Sequence, residues 1–392
     1  MHRSASRVLT VVIAAVVTVM WSAGAAFAVP TWKVQATPLP GAAAGGLFGD
    51  VSCVSATLCT AVGRSLDSSG RATPLAERWD GTSWTVQSVS DPTGDVADPI
   101  LSAVSCTSAS ACMAVGWGNG GSALIPFSER WNGTTWSIVS MPTPNVNGSA
   151  QLRDISCVSA TVCFAVGAYY DGSKFRPFSE RWNGTSWALR TVPQPTGATT
   201  SELSGVQCKS ASFCVAVGYF TTATVTSRVL ALRWNGTSWS ATTAAVPAAS
   251  SDSGFSGVSC TSTTACAAVG YYSNSSARYV TLVERWNGSK WTVQASPTGP
   301  GTVTNELLGV SCVSASACAA VGYSRSGSNP RVVLAERWNG TRWAITPTPA
   351  ITGSTGAVLG AVSCTAATAC TAVDYFQDAS HTYTQLLAER YA

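Results

Sequence analysis

Short apolar stretches alternate with turn-forming residues along most of the chain, and the pattern recurs about every 52 residues. Each repeat unit has the pattern of four short strands. In one unit these cover residues 307–312, 318–323 and 333–338, and an Asn-Gly turn then leads to a fourth strand that opens on Trp343. Because Asn-Gly between apolar stretches is a strong hairpin signal, the pattern predicts an all-β chain of four-stranded units.

The first 28 residues are predicted to be a secretory signal peptide. Arg3 and Arg7 precede an uninterrupted run of apolar residues and threonine over 8–20, and an A-x-A sequence ends at Ala28. A run of thirteen residues is too short for a bilayer core of roughly 30 Å, which disfavours a membrane anchor. We therefore predict a mature domain of residues 29–392 that is secreted and has no membrane span.

The cysteines mark the repeat most clearly, because all fourteen fall into seven C-x5-C pairs. An even number of cysteines in an exported chain predicts disulfides. Zinc would favour closer cysteine spacings with histidines, and the mature chain has the single histidine His381. Each bridge would close one β-hairpin and contribute roughly 2 kcal/mol. The predicted pairs are Cys53–Cys59, Cys106–Cys112, Cys157–Cys163, Cys208–Cys214, Cys260–Cys266, Cys312–Cys318 and Cys364–Cys370.

Seven four-stranded units predict a seven-bladed β-propeller with four antiparallel strands per blade, because a radial arrangement leaves no long open edge. The two ends of the chain test this interpretation. Residues 387–392 form the end of a third strand with no Asn-Gly turn after it, whereas residues 29–34 form a fourth strand with no third strand before it. We expect the N-terminal strand to pair with the last three strands and close the seventh blade.

The chain resembles the β-propeller superfamily over residues 29–392, through its repeated C-x5-C and E-R-W-N-G-x-x-W motifs. The second motif is distantly similar to the Asp-box turn of sialidase-like propellers, and the period is close to that of kelch propellers. The full Asp-box, the double glycine of kelch blades and the Gly-His of WD repeats are missing. The paired cysteines resemble those of secreted actinobacterial repeat proteins. The resemblance implies an architecture and says little about activity.

Two residue types recur in the third and fourth strands. Thirteen of fifteen tryptophans occupy two repeat positions, which predicts packing between blades; a ring of sugar-stacking sites is the alternative. A Glu-Arg pair recurs in six units, before the first tryptophan in five of them and before Tyr391 in the last, and Leu232-Arg233 replaces it in the fourth. Neighbours in a strand point to opposite faces, so we expect each member to pair with other strands or blades.

The candidate binding residues are aromatic and lie in the connections that vary between units. These connections follow the second and the fourth strand, so they should share one face of the molecule. Exposed aromatics among small polar residues suit carbohydrate or protein binding; the alternative is that they cover blade edges. The candidates are Trp117, Tyr169, Tyr219, Tyr271, Tyr323 and Tyr375.

Composition narrows the possible functions. Only 11% of residues are charged, against roughly 25% in an average domain. Four lysines and no basic run exclude a nucleic-acid partner, because phosphate binding needs a dense cationic surface. We expect no cofactor and no metal site.

An enzyme is disfavoured because His381 is the only mature-chain histidine and no Gly-x-Ser-x-Gly motif occurs. Two carboxylates could still act on a glycosidic bond, but no pair stands out. The acidic residues on or near the variable face are Asp95, Asp98, Asp154, Glu202 and Glu306.

These observations together predict a secreted, disulfide-stabilised, monomeric β-propeller that acts as a binding module. Its ligand is predicted to be a carbohydrate at the face of the variable loops. The alternative is an extracellular scaffold whose partner is an extracellular or cell-surface protein. A glycoside hydrolase or sialidase-like enzyme is less favoured.

Overall fold

A computed structural model describes residues 30–392 apart from 93–95, 145–147, 225, 248–249, 300–301 and 381. The predicted signal peptide, Asp95 and His381 therefore lie outside the described residues. The part that is described is all-β, with 28 strands and no helix. It accordingly contains no helix that is long and apolar enough to cross a membrane.

Four consecutive antiparallel four-stranded sheets form the first part of the chain, and we call them sheets 1 to 4. Within each, the strands lie side by side in chain order. Sheets 1 and 2 comprise β2 (Gly45–Ser55), β3 (Leu58–Leu66), β4 (Ala72–Trp79), β5 (Trp84–Gln87), and β6 (Ala97–Ser108), β7 (Ala111–Asn119), β8 (Leu124–Trp131), β9 (Trp136–Val139). Sheets 3 and 4 comprise β10 (Ala150–Ser159), β11 (Val162–Tyr170), β12 (Phe175–Trp182), β13 (Trp187–Arg190), and β14 (Ala198–Ser210), β15 (Phe213–Thr222), β16 (Arg228–Trp234), β17 (Trp239–Ala241).

The next eight strands form two four-stranded halves, sheets 5 and 6, which the single parallel pair Tyr279–Thr304 joins. Sheet 7 combines the last three strands with the first strand of the described chain. Sheets 5 and 6 comprise β18 (Ser253–Ser262), β19 (Ala265–Ser273), β20 (Tyr279–Trp286), β21 (Trp291–Gln294), and β22 (Thr304–Ser314), β23 (Ala317–Arg325), β24 (Val332–Trp338), β25 (Trp343–Ile345). Sheet 7 comprises β26 (Ser354–Ala366), β27 (Ala369–Asp378), β28 (Gln385–Tyr391) and β1 (Trp32–Gln35).

The expected pairing of the two chain ends is observed. Strand β1 lies antiparallel to β28, with Trp32 opposite Tyr391 and Gln35 opposite Ala388. The backbone also bonds just beyond the strands, where the Thr31 N–H donates to the Ala392 carbonyl at 3.2 Å. The N-terminal strand therefore supplies the fourth strand of sheet 7.

The hydrophobic core lies between neighbouring sheets. One cluster joins Val62 and Ala76 of sheet 1 to Leu101 and Phe127 of sheet 2, and equivalent clusters join the other neighbours. Second strands are mostly apolar runs because both of their faces are covered; in β3, Cys59 to Gly63 are all buried. Burial on both faces is what such runs predict.

All seven predicted disulfides are present, and they lie at the same place in every sheet. The two cysteines of each pair are directly opposite in the first hairpin, as Cys53 and Cys59 are. Their Cα atoms lie between 3.9 and 4.0 Å apart. The first strands extend two residues past the first cysteine, farther than the pattern predicted. We call the end of each sheet with this hairpin and the Asn-Gly hairpin the turn end, and the opposite end the loop end.

The asparagine and the glycine of each Asn-Gly turn both contribute to its structure. The Asn132 side-chain oxygen accepts hydrogen bonds from the Thr134 and Thr135 N–H groups at 2.9 Å. Gly133 has φ +105°, a conformation that favours glycine. A Cβ atom there would also lie 2.9 Å from the Ser110 Cβ of the first hairpin. The turn therefore requires glycine for its backbone and for its close approach to the neighbouring hairpin.

The repeat tryptophans pack inside the protein, as predicted. All thirteen are buried, with exposed fractions of at most 8%. The two tryptophans of each third-to-fourth-strand hairpin contact each other, as Trp234 and Trp239 do at 5.7 Å between ring centroids. Since these faces are covered, they are not available for stacking on a sugar.

Four of the repeat arginines donate to a first-hairpin carbonyl of the next sheet, as expected for that half of the Glu-Arg pair: Arg78, Arg285, Arg337 and Arg390. Arg78 donates to the Ala109 carbonyl of the first hairpin of sheet 2 at 2.6 Å and lies 5.5 Å from the Trp131 ring centroid. Arg390 of sheet 7 makes the same contacts with sheet 1, donating to the Ala56 carbonyl at 2.6 Å. Guanidinium groups over aromatic faces are favourable.

Three of the six repeat glutamates accept a hydrogen bond from the connection that precedes their sheet, as expected: Glu129, Glu284 and Glu336. The other three do not pair with any described residue. Glu77, Glu180 and Glu389 are fully buried, and neither carboxyl oxygen of these three has a hydrogen-bond partner among the described residues. Burial raises the pKa of Glu77 to about 8. These carboxyls therefore favour the neutral form, which needs no cation beside it.

A ladder of serine contacts links the first strands. The Ser52 hydroxyl of sheet 1 accepts from the Cys106 N–H of sheet 2 at 3.0 Å, and the same bond recurs between other neighbours. Between sheets 7 and 1, the Ser363 hydroxyl accepts from the Cys53 N–H at 2.9 Å. In sheet 4, Gln207 takes the serine position.

Candidate functional site

Every first strand has a β-bulge at the same place, where its register against the second strand shifts by one residue. A bulge re-aims a side chain out of the regular alternation. The first strands of all seven sheets line one cavity of about 410 Å³, which we call the channel. Its bulged residues are Gly49, Ser102, Arg153, Ser204, Ser256, Leu308 and Gly360.

Two aspartates in the channel bind backbone amides of neighbouring sheets. The Asp50 carboxylate accepts from its own neighbour Val51 N–H at 2.7 Å and from the Val104 N–H of sheet 2 at 2.9 Å. Asp154 accepts in the same way from the Ile155 N–H at 2.7 Å and the Val206 N–H of sheet 4 at 2.6 Å. Desolvation raises the pKa of both groups, while these bonds oppose the rise. Each aspartate thus joins two first strands.

A row of tyrosines lies at the loop end of the channel. Tyr219, Tyr271, Tyr323 and Tyr375 occupy the same register in the second strands of sheets 4 to 7, each one residue after the Ala-Val-Gly or Ala-Val-Asp sequence. All four are partly exposed. We call these four residues the tyrosine arc, and sequence analysis had selected all of them.

Tyr323 is held by a carboxylate and a guanidinium. Its hydroxyl donates to the Glu306 carboxylate on the facing strand at 3.0 Å. Arg331 lies over its ring at 4.6 Å and donates to the Tyr375 hydroxyl at 3.3 Å, which links sheets 6 and 7. Burial, followed by the charge of Glu306, raises the pKa of Tyr323 to about 12. The phenol therefore stays a neutral hydrogen-bond donor and acceptor.

Tyr271 has a similar polar neighbourhood built from its own sheet. Its ring contacts Tyr279 edge to face, with centroids 5.4 Å apart. The Tyr279 hydroxyl donates to Asp252 at 2.8 Å. The second carboxylate oxygen of Asp252 is buried and has no hydrogen-bond partner among the described residues. Burial, followed by the charge of Asp252, raises the pKa of Tyr271 to about 12.

Tyr219 faces Glu202 across the first hairpin of sheet 4. Glu202 lies 3.8 Å from Arg153, the bulged residue of sheet 3. Burial, followed by the charge of Glu202, raises the pKa of Tyr219. Three members of the arc therefore each have a carboxylate close to the ring hydroxyl.

The other two predicted aromatics lie apart from the arc. Trp117 occupies the equivalent register in sheet 2 and lines a separate cavity of about 320 Å³ with Arg64 and Asp98. Tyr169 is one residue past that register in sheet 3, where Ala168 takes the arc position. Its ring contacts Phe178 edge to face at 6.1 Å, so it packs towards the core of sheet 3.

The arrangement can contact a polar ligand through several kinds of group. It offers ring faces, phenol hydroxyls, carboxylates and two guanidinium groups around one opening. All fourteen cysteines are in disulfides, and no group of three potential metal ligands occurs in the described part of the chain. Of the five acidic candidates, Glu202 and Glu306 lie at the arc, Asp154 in the channel and Asp98 beside Trp117.

Comparison with solved structures places the fold among β-propellers. YCF48 from Cyanidioschyzon merolae is 13% identical, with 92% of this chain and 98% of that protein aligned and a TM-score of 0.55. A PL25 ulvan lyase bound to -[GlcA(1-4)Rha3S]- is 9% identical over 89% and 94% of the two chains, with a TM-score of 0.53. The GH74 xyloglucanase from Xanthomonas campestris is 14% identical, with a TM-score of 0.52; the alignment covers 88% of this chain and 53% of the xyloglucanase. No protein-family model and no curated protein sequence matches the chain.

At this level of identity the similarity defines the fold alone. The chain has a β-propeller-type fold built from repeated antiparallel four-stranded sheets. Its disulfides are those expected of a protein from an oxidising, extracellular type of compartment.

Proposed function

We propose that the protein is a secreted seven-bladed β-propeller whose loop end binds carbohydrate at the tyrosine arc. Each of sheets 1 to 7 is one blade in this proposal, and β1 closes the ring. The Ser363–Cys53 and Arg390–Ala56 bonds support closure, because they repeat between sheets 7 and 1 the contacts made by consecutive sheets. The proposed mature domain is residues 29–392, released after cleavage of the signal peptide.

The observation that carries the binding proposal is the common register of the four tyrosines. A row of aromatic rings in consecutive sheets offers successive surfaces to a ligand that extends across the opening. Tyrosine supplies an apolar face and a polar tip with little conformational entropy to lose. The alternating apolar and hydroxyl surfaces of a saccharide match that combination.

The carboxylates add orientation to these ring contacts. Glu202, Asp252 and Glu306 lie beside the phenols, and each can accept hydrogen bonds from ligand hydroxyls. A site with a few placed polar groups among aromatic surfaces is the usual composition of a small-ligand site. The same carboxylates would disfavour a strongly anionic polysaccharide across the arc.

The test is a glycan and cell-wall polysaccharide array probed with residues 29–392, followed by calorimetry on any ligand found. We expect specific binding that weakens at least tenfold in the triple variant Tyr219→Ala, Tyr271→Ala, Tyr323→Ala. Tyr170→Ala is the matched control, because Tyr170 is an exposed loop-end tyrosine outside the arc. Equal binding by the triple variant would place the site elsewhere, and a blank array from folded protein would favour a protein partner.

A further inference from the structure

The inner edge of each first strand presents an N–H group to the channel at one fixed register. Cys260 and Cys266 have Cα atoms 3.9 Å apart, which is the spacing of a non-hydrogen-bonded pair rather than the roughly 5.5 Å of a bonded one. Val258, two residues earlier, pairs with Ala268 and belongs to the same non-hydrogen-bonded set. Its N–H therefore points away from the second strand and towards the channel, which Val258 lines.

The same register applies to all seven first strands, so seven amides face the channel. The residues that carry them are Val51, Val104, Ile155, Val206, Val258, Val310 and Val362.

Two aspartates bind four of these amides in adjacent pairs. Asp50 holds Val51 and Val104, and Asp154 holds Ile155 and Val206. Each pair comes from two neighbouring sheets, so two neighbouring amides lie within the span of one carboxylate group. The protein itself thus contains two carboxyl groups bound by this row of amides.

The remaining three amides are consecutive and have no such partner. Sheets 5, 6 and 7 carry Gly257, Gly309 and Ala361 at the aspartate position. Among the described residues no side chain accepts a hydrogen bond from the N–H of Val258, Val310 or Val362. Buried backbone donors are nearly always paired, with protein, water or ligand.

We propose that the amides of Val258, Val310 and Val362 form a binding site for a small monovalent anion, either a carboxylate group or a halide. Asp50 and Asp154 show the geometry that the external anion adopts. Asp50 then binds the amides of sheets 1 and 2, and Asp154 binds those of sheets 3 and 4. The external anion binds the amides of sheets 5 to 7.

The charged groups around this site are compatible with an anion. In sheet 7, Asp374 replaces the glycine of the Ala-Val-Gly sequence. It lies next to Gly360, and burial raises its pKa well above the ordinary value. Burial also raises the pKa of Glu306 at the loop end of sheet 6. Arg331 acts electrostatically on both carboxyls and supplies a positive charge on this side of the channel. Asp50 projects from sheet 1, which contacts sheet 7, and Asp154 projects from sheet 3; desolvation raises the pKa of both.

The test uses crystals of residues 29–392 soaked in sodium bromide, with bromide located by its anomalous scattering. We expect a bromide peak within hydrogen-bond distance of the three amides. Absence of a peak there in the wild-type protein, at a concentration that populates surface sites, would overturn the proposal. A parallel series with rising sodium acetate identifies the preferred occupant: displacement of bromide favours a carboxylate, and retention favours a halide.

Two aspartate substitutions at buried alanines give a matched pair. Ala361→Asp places a carboxylate next to the Val362 amide, which no described side chain binds, so the bromide peak should fall at least tenfold. Ala103→Asp places the same group between Val104 and Ile155, whose amides are already bound, so bromide should remain and the melting temperature should fall more than in Ala361→Asp. Unchanged bromide in a folded Ala361→Asp protein would contradict the site. If that variant does not fold, the wild-type soak still decides. None of these readouts depends on carbohydrate binding.

Discussion

The turn end and the loop end of the sheets follow opposite rules. At the turn end the same residues recur from sheet to sheet: a disulfide, an Asn-Gly or Asp-Gly turn, a packed aromatic pair and an arginine, several of which contact the next sheet. At the loop end one register position holds arginine, tryptophan, alanine or tyrosine, depending on the sheet. In a repeat protein, residues present in nearly every unit therefore mark assembly, and positions that differ between groups of units are where a ligand can be selected.

The largest expected effect at the turn end comes from Trp234, whose side chain is 2% exposed. Trp234→Ala should lower the free energy of unfolding by about 3–5 kcal/mol, because it removes a large buried ring and leaves a cavity. Chemical denaturation measures the loss. Tyr170→Ala is the exposed aromatic control and should change stability little; an equal loss in the two variants would contradict the packing role.

The second effect concerns one disulfide. Replacing Cys53 and Cys59 together by alanine should cost about 2 kcal/mol, since the closed loop is short. Binding at the loop end should be unchanged, because the bridge lies at the other end of the sheet. Thermal unfolding and a ligand titration on the same samples test both halves. Loss of binding without loss of stability would show that the two ends are coupled.

The third effect is a pH dependence from the buried repeat glutamates. Burial raises the pKa of Glu77 from its ordinary 4.5 to about 8 in the folded protein. Between these values the folded state holds a proton that the unfolded state has lost, so stability falls as pH rises, by up to about 1.4 kcal/mol per pH unit. Glu77→Gln should reduce that slope in unfolding measurements from pH 5 to pH 8. A slope as steep as that of the wild type would assign the effect to other groups.

The smallest expected effect on stability is at the loop end. Tyr323→Phe removes one hydrogen bond to Glu306 and keeps the ring, so it should cost about 1 kcal/mol or less. Ligand affinity should fall more clearly than stability if the phenol contacts the ligand. Comparison with Tyr323→Ala separates the contribution of the hydroxyl from that of the ring. A stability loss as large as that of Trp234→Ala would place Tyr323 among the assembly residues.

Sequence alone predicted the features that repeat. Equal cysteine spacing predicted seven hairpin disulfides, and the complementary ends predicted that 29–34 would pair with 387–392. The tryptophan period predicted packing, since every sheet needs the same filling against its neighbour. These are local or periodic signals, which a single chain displays many times over.

Contacts between units were harder to predict. The repeat marks Arg78 as a recurring residue, but its acceptor, the Ala109 carbonyl, belongs to the next unit and carries no sequence signal. Asp50 and Asp154 fall at a position that other sheets fill with glycine or alanine, so periodicity does not predict their shared role. Sequence alone marks Asp154 only as an acidic residue near the variable face. Each arc tyrosine lies one residue after the Ala-Val-Gly or Ala-Val-Asp sequence, whereas Tyr169 lies two residues after it. Because neighbours in a strand point to opposite faces, this difference in position already separates Tyr169 from the arc.

The pairing of β1 with β28 also governs the order in which the molecule can be built. Sheets 1 to 6 each consist of consecutive strands, so each can form as soon as its own segment is available. Sheet 7 needs Trp32 and Tyr391 together, which makes it the most non-local contact of the chain. Such contacts slow folding, because the intervening chain must first be ordered. A chain interrupted after sheet 6 would therefore hold six sheets and a strand β1 without its partner β28. Only the full-length chain supplies that partner.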